Sequence, residues 1–160
     1  MAIHKLHIDE FDEVDYELIA IHTSLEDYRL AYFLNQELPI LLSKSKNEIQ
    51  INIKEGETHF SRYIFEDAEK EIYWNLIQNK NEVTIQKKDN GQNLFANTSL
   101  EVSTKVYLLP ELKKVDYFLK IENATLAIDK IITQINAIDR VSTVYIVDRH
   151  QIKSKNNLIF

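Results

Sequence analysis

Two carboxylates stand apart from the 25 acids of this chain. Glu111 follows Pro110 at the end of a strand-like run, and Asp116 lies inside the next one, beside Phe118. Aspartate is disfavoured in strands, so Asp116 needs compensation: an edge position, water, or a cation such as Arg29, Arg62 or Arg140. Arg29, Glu111 and Asp116 together would make a polar pocket for a small ligand. The structural reading is a hydrogen-bonded or ion-paired corner that fixes a connection, and the sequence favours it.

Other chemistry is thinly supported. With no cysteine, disulfides, thiolate ligands and cysteine nucleophiles are excluded. His4 and His7 have ligand-like spacing, but two histidines beside acids that nothing positions are a weak metal signal. His22 and His59 sit at strand ends, where a histidine more often completes a backbone hydrogen bond than acts as a base. Gly56 and Gly91, the only glycines, each fall in a turn. That excludes a phosphate loop, a dinucleotide fingerprint and a nucleophile elbow, all of which need several glycines. No cofactor and no metal is expected.

The elements that must position these groups follow from hydropathy patterning. Tyr16 to Thr23 is apolar on both faces, as a central strand should be. Ser24, with Asp27 three residues on, predicts a helix N-cap, and Pro39 ends that helix. Leu25, Tyr28, Ala31, Tyr32, Leu34 and Leu38 form its expected core stripe, which leaves Leu30 and Phe33 towards the polar side as a candidate interaction surface. Ile49 to Lys54 and Thr58 to Glu66 flank a turn at Gly56. Strands are expected over Glu71 to Gln78, Glu82 to Lys87 and Ser103 to Leu109, with turns at Asn79-Lys80-Asn81 and Asp89-Asn90-Gly91. Glu111 to Lys114 fits a single turn. Val115, Tyr117, Leu119 and Ile121 then share one face of a strand. Asn123 is placed to cap a second helix over Thr125 to Asp139, striped by Ile128, Ile131, Ile132, Ile135 and Ile138. Val141 to Val147 closes as a strand against that stripe.

At 160 residues and 44% hydrophobic, the chain can bury a core as a single domain, residues 1–160. The charge of −6 is carried by its beginning. Six acids fall between Asp9 and Glu17, and the 19 that remain balance the 19 lysines and arginines. A neutral body with an acidic segment over 1–15 gives no footprint for nucleic acid. The segment 149–160 is basic, through Arg149, His150, Lys153 and Lys155, and ends on Leu158-Ile159-Phe160; such a tail is expected to be mobile. No run approaches the ~20 apolar residues of a membrane span, and nothing near Met1 resembles a signal peptide. The cytoplasm is the expected compartment.

The two strand–helix segments echo each other. At an offset of 101 residues, Val14-Asp15-Tyr16-Glu17-Leu18 aligns with Val115-Asp116-Tyr117-Phe118-Leu119, and Ser24-Leu25 with Thr125-Leu126. The expected fold is therefore α+β: a largely antiparallel sheet of six to eight strands with two helices packed on one face. That arrangement has the logic of a ferredoxin-like split βαβ with inserted strands.

Leu109-Pro110-Glu111-Leu112-Lys113-Lys114-Val115-Asp116-Tyr117 resembles the signature of the uncharacterised bacterial IPExxxVDY family, with leucine at the first position. The stretch from Tyr16 to Ala31, with Tyr28 and Arg29, is similar to the N-terminal part of that family. The resemblance implies no activity, ligand or partner. It directs attention to Pro110, Glu111, Val115, Asp116 and Tyr117. The functional expectation is a non-catalytic binding or adaptor domain with a protein partner or self-association; the alternative is a ligand-binding protein or enzyme built on the Arg29, Glu111 and Asp116 pocket.

Overall fold

The computed structural model describes residues 15–54, 56–87 and 100–160. His4, His7, the acids before Asp15 and the Asp89-Asn90-Gly91 turn lie outside the described residues.

Among the described residues, ten strands and two α-helices follow one another as β1 (Tyr16–Thr23), α1 (Asp27–Glu37), β2 (Ser43–Lys44), β3 (Ile49–Ile53), β4 (Gly56–Phe60), β5 (Arg62–Asp67), β6 (Ile72–Gln78), β7 (Lys80–Lys87), β8 (Leu100–Tyr107), β9 (Tyr117–Glu122), α2 (Ile128–Asn136) and β10 (Val141–Ile146). Six of the strands form an antiparallel sheet in the order β10-β1-β9-β6-β5-β2, while β3–β4 and β7–β8 are separate two-stranded ladders. Taken alone, β1-α1-β6-β9-α2-β10 is a βαββαβ chain in which β9 lies between β1 and β6 and β10 flanks β1. This is the split βαβ arrangement of ferredoxin-like folds. The sheet is extended by β5 and β2, and the two ladders are inserted. The internal echo has a structural counterpart, since β1 and β9 begin 101 residues apart, as do α1 and α2.

Both sheet faces are covered. On one, Ile19, Ile21, Trp74, Leu76, Leu119 and Ile121 meet Leu30, Ala31 and Leu34 of α1, Ile131 and Ile135 of α2, and Ile138 just after it. On the other, Leu18, Ala20, Ile77 and Phe118 meet Ile49 and Phe60 of the first ladder, Leu108, Leu109 and Val115 of the β8–β9 connection, and Val147, Ile152 and Leu158. Two-sided burial explains why Leu18–Ile21 is an unbroken apolar run instead of an alternating one.

Several sequence expectations need correction. The phase of α1 differs: Leu30 is fully buried, whereas Tyr28 and Tyr32 are 58% and 60% exposed. Leu30-Leu34-Leu38 and Tyr28-Tyr32 both have helical spacing, and the leucines win because tyrosine tolerates a wet edge. With Phe33 packed against the core, Leu30 and Phe33 cannot form an exposed surface. Neither predicted cap forms. The N-cap residues are Glu26 and Ala127, without side-chain cap bonds. Asn123 instead takes a left-handed conformation, φ 56, and its N–H donates to Asp15 O at 2.9 Å. The run Thr58 to Glu66 breaks at Ser61 into strands of different sheets. Val115 lies before β9 and packs on the face opposite Tyr117. The tail is docked: Ile152 and Leu158 are buried in the second core.

Ile135 sits fully buried between α2 and the sheet. Ile135→Ala is expected to destabilise the domain by about 2–5 kcal/mol, measured by urea unfolding.

Candidate functional site

The residues from Pro110 to Tyr117 form the corner between β8 and β9. Pro110 opens a 3₁₀ turn, Pro110–Leu112, where its lack of an N–H costs nothing. The chain then crosses the end of the sheet, and its backbone groups need partners away from water. Asn79, the residue between β6 and β7, supplies them. It is fully buried. Its Nδ2 donates to Leu112 O at 3.0 Å and Val115 O at 2.8 Å, and its Oδ1 accepts from Leu109 N at 2.9 Å. Its own N–H donates to Asp116 O at 3.0 Å, and its carbonyl accepts from Leu108 N at 2.8 Å. One amide side chain thus closes the loop from inside. The sequence reading placed Asn79 in a turn and missed this role.

Asp116 stands just before β9, outside the strand. Its Oδ2 accepts from Thr23 N at 2.9 Å, and its Oδ1 accepts from Lys80 Nζ at 2.7 Å. Thr23 Oγ1 in turn donates to Arg140 O at 2.8 Å and accepts from Leu25 N at 3.1 Å. Asp116 therefore joins the end of β1, where the chain leaves for α1, to the start of β9, where it arrives from β8. The compensating cation is Lys80, not Arg29, Arg62 or Arg140.

Tyr117 donates its hydroxyl to Leu25 O at 2.9 Å, fixing the β1–α1 connection. Burial, reinforced by the charges of Asp27 and Asp116, raises its pKa well above the tyrosine norm. It stays neutral and serves as a donor.

Glu111 holds the tail. Its Oε1 accepts from Lys153 N and Ser154 N, each at 2.8 Å, and its Oε2 accepts from Ser154 Oγ at 3.1 Å. Burial alone would raise its pKa, but the hydrogen bonds from Ser154, Lys153 and its own backbone outweigh that and hold it below the ordinary value. Asn157 Nδ2 adds a bond to Leu108 O at 2.8 Å.

Arg29 is exposed on α1 and is a partner of neither carboxylate, so the expected pocket of Arg29, Glu111 and Asp116 is not assembled. An open depression of about 660 Å³ lies elsewhere, lined by Lys44, Lys46, Glu48 and His59 among others.

A second polar cluster lies under the tail and was also missed. Lys120, in the middle of β9, is buried. Its Nζ donates to Glu122 Oε1 at 2.5 Å and Leu158 O at 3.0 Å, and lies 5.1 and 4.8 Å from the ring centres of Tyr16 and Phe160. Arg62 Nε donates to Asn75 Oδ1 at 2.9 Å, and its guanidinium lies 4.4 Å from the Phe160 ring. Burial lowers the Arg62 pKa, with Glu122 opposing. The sign in the sequence was a lysine within Phe118-Leu119-Lys120-Ile121, where a charge requires a partner.

Among the described residues, every buried side-chain nitrogen and oxygen has a hydrogen-bond partner. Compared with known proteins, the chain matches no family model, no curated protein and no solved structure.

Asn79→Ala strands two buried backbone groups and one part-buried one, and is expected to cost on the order of 3 kcal/mol. Arg29→Ala should stay within about 0.5 kcal/mol, both measured by urea unfolding. The depressed pKa of Glu111 means that its contribution is present above the unfolded value, about 4.3, and is lost as pH falls through the folded one. Exchange of the Lys153 and Ser154 amides, corrected for intrinsic rates, should accelerate in that acid window, and Glu111→Gln should flatten the response.

Proposed function

We propose that this chain is a non-catalytic binding or adaptor domain of the cytoplasm, related to the bacterial family that its signature resembles, and that it meets a protein partner through α1. The observation that carries this reading is the pair Tyr28 and Tyr32, one helical turn apart and both more than half exposed. Tyrosine is enriched at protein interfaces because it offers a large apolar surface and a hydroxyl at small entropic cost. Asn35 holds the segment after the helix in place, its Oδ1 accepting from Leu42 N at 2.7 Å and its Nδ2 donating to Leu42 O at 3.0 Å. Leu41, next to this clamp, is exposed as well. The face is thus a rigid one, presenting apolar groups without ordering a loop.

The distribution of polar groups supports the non-catalytic part. The hydrogen-bonding capacity of Glu111, Asp116 and Tyr117 is directed at the protein's own backbone, the Ser154 hydroxyl and Lys80. General acid–base chemistry needs a group within reach of a substrate proton, and these three are turned inward.

Affinity capture from native lysate, read by mass spectrometry, tests the proposal. The wild type should retain a protein that Tyr28→Ala/Tyr32→Ala loses, with circular dichroism unchanged. Equal capture by both forms contradicts the assignment to α1. Capture of no protein by either contradicts the adaptor reading.

A further inference from the structure

The two edges of the main sheet are protected unequally. At one edge, β2 is two residues long and contains Lys44. Shortness and a lysine are how natural sheets keep an edge from pairing with another chain. At the other edge, β10 reads Val141-Ser142-Thr143-Val144-Tyr145-Ile146, with no charge, proline or glycine. Its β-branched and aromatic residues favour strand pairing. Among the described residues no strand pairs with its outer side, and Tyr145 and Ile146 are 38% and 42% exposed.

The phase of the open ladder follows from the inner one. Val147 N–H donates to Leu18 O at 2.8 Å. In antiparallel alternation, Tyr145 and Thr143 then also face β1, while Val144 and Ile146 direct their N–H and C=O groups outward. The register shift between His22 and Thr23 leaves Ser142 as an extra residue that bends only the start of the strand.

The flanking charges select what fits this edge. Asp139-Arg140 precede β10 and Asp148-Arg149 follow it. Antiparallel pairing of the strand with an identical strand, centred on Val144, brings Arg140, in the turn before one strand, beside Asp148, which follows the other, twice over by symmetry. It also sets the outward groups of Val144 against each other. A slip in either direction draws Arg140 and Asp148 apart. An acidic or basic partner strand could satisfy only one sign.

The geometry points to a second copy of this chain on the outer edge of β10, in a twofold dimer whose sheet runs on from one protomer into the other. Such an interface is self-complementary, as twofold symmetry requires, and is independent of the α1 face proposed above. Arg149 also pairs with Asp15 at 3.2 Å in an exposed contact, so the decisive residues are Arg140 and Asp148, both exposed; Asp148 Oδ1 also accepts from His150 N at 3.0 Å. Arg140 has φ 68, a conformation that aspartate accepts more readily than most residues.

Sedimentation across a concentration series tests the dimer with Arg140→Asp, Asp148→Arg and their equimolar mixture, each checked by circular dichroism and thermal melting. The wild type should dimerise. Each variant alone opposes like charges and should dimerise about tenfold or more weakly. The mixture restores both pairs and should recover a heterodimer, which a merely misfolded variant would not do. Ile146→Lys, at an exposed position, should also give a monomer. A wild type that stays monomeric overturns the proposal, as does a mixture no more associated than its components.

Discussion

A buried backbone group without a partner costs more than most side-chain contacts supply, and the connection between β8 and β9 crosses the end of the sheet where that cost would fall. Asn79 removes it. Three backbone groups of the connection meet its amide, and two more meet its own peptide N–H and carbonyl. β6 and β9 are neighbours in the sheet, so anchoring the connection to the residue that follows β6 also sets where β9 begins. Asp116 and Tyr117 extend the same logic to β1, one through Thr23 N–H and the other through Leu25 O. The signature is, in this sense, the device that sets the two strand–helix halves side by side.

The second constraint is that the sheet is apolar on both faces. The helices cover one. Among the described residues no helix covers the other, and its cover is assembled from the β3–β4 ladder, the β8–β9 connection and the tail. The tail's basic residues suggested mobility, yet Ile152 and Leu158 supply burial, and Glu111 meets two of its backbone N–H groups. Lys120 becomes tolerable within a central strand because Glu122, Leu158 O and two aromatic rings surround its ammonium group. Cover and buried charge depend on each other.

Much of the fold was legible in the sequence because its strongest signals are local. The apolar run of β1, the isoleucine stripe of α2 and the 101-residue offset fix the strand–helix units and the split βαβ order. What failed depended on contacts distant in sequence. Tyr28 and Leu30 carry equal helical periodicity, and only the sheet decides which faces inward. The partner of Asp116 is Lys80, 36 residues away, while the cations weighed from the sequence were all arginines. Asn79 has the composition of a turn residue, and nothing in Gln78-Asn79-Lys80 marks an amide that bonds a segment about 30 residues on. The signature was found as a pattern; its work became visible only with its partners in place.

The polar groups of the corner are turned inward, and the rigidity of that framework rests on the buried amide. Native-state hydrogen exchange at Leu108, Leu109 and Asp116 tests this most directly. Their N–H groups are bonded to Asn79 or Ile21, although they lie in a connection and not in a strand. If the amide clamp organises the corner, these amides exchange only through global unfolding, with the same free energy as the centre of β9. Exchange at the rate of an open surface loop, while β9 stays protected, would contradict it.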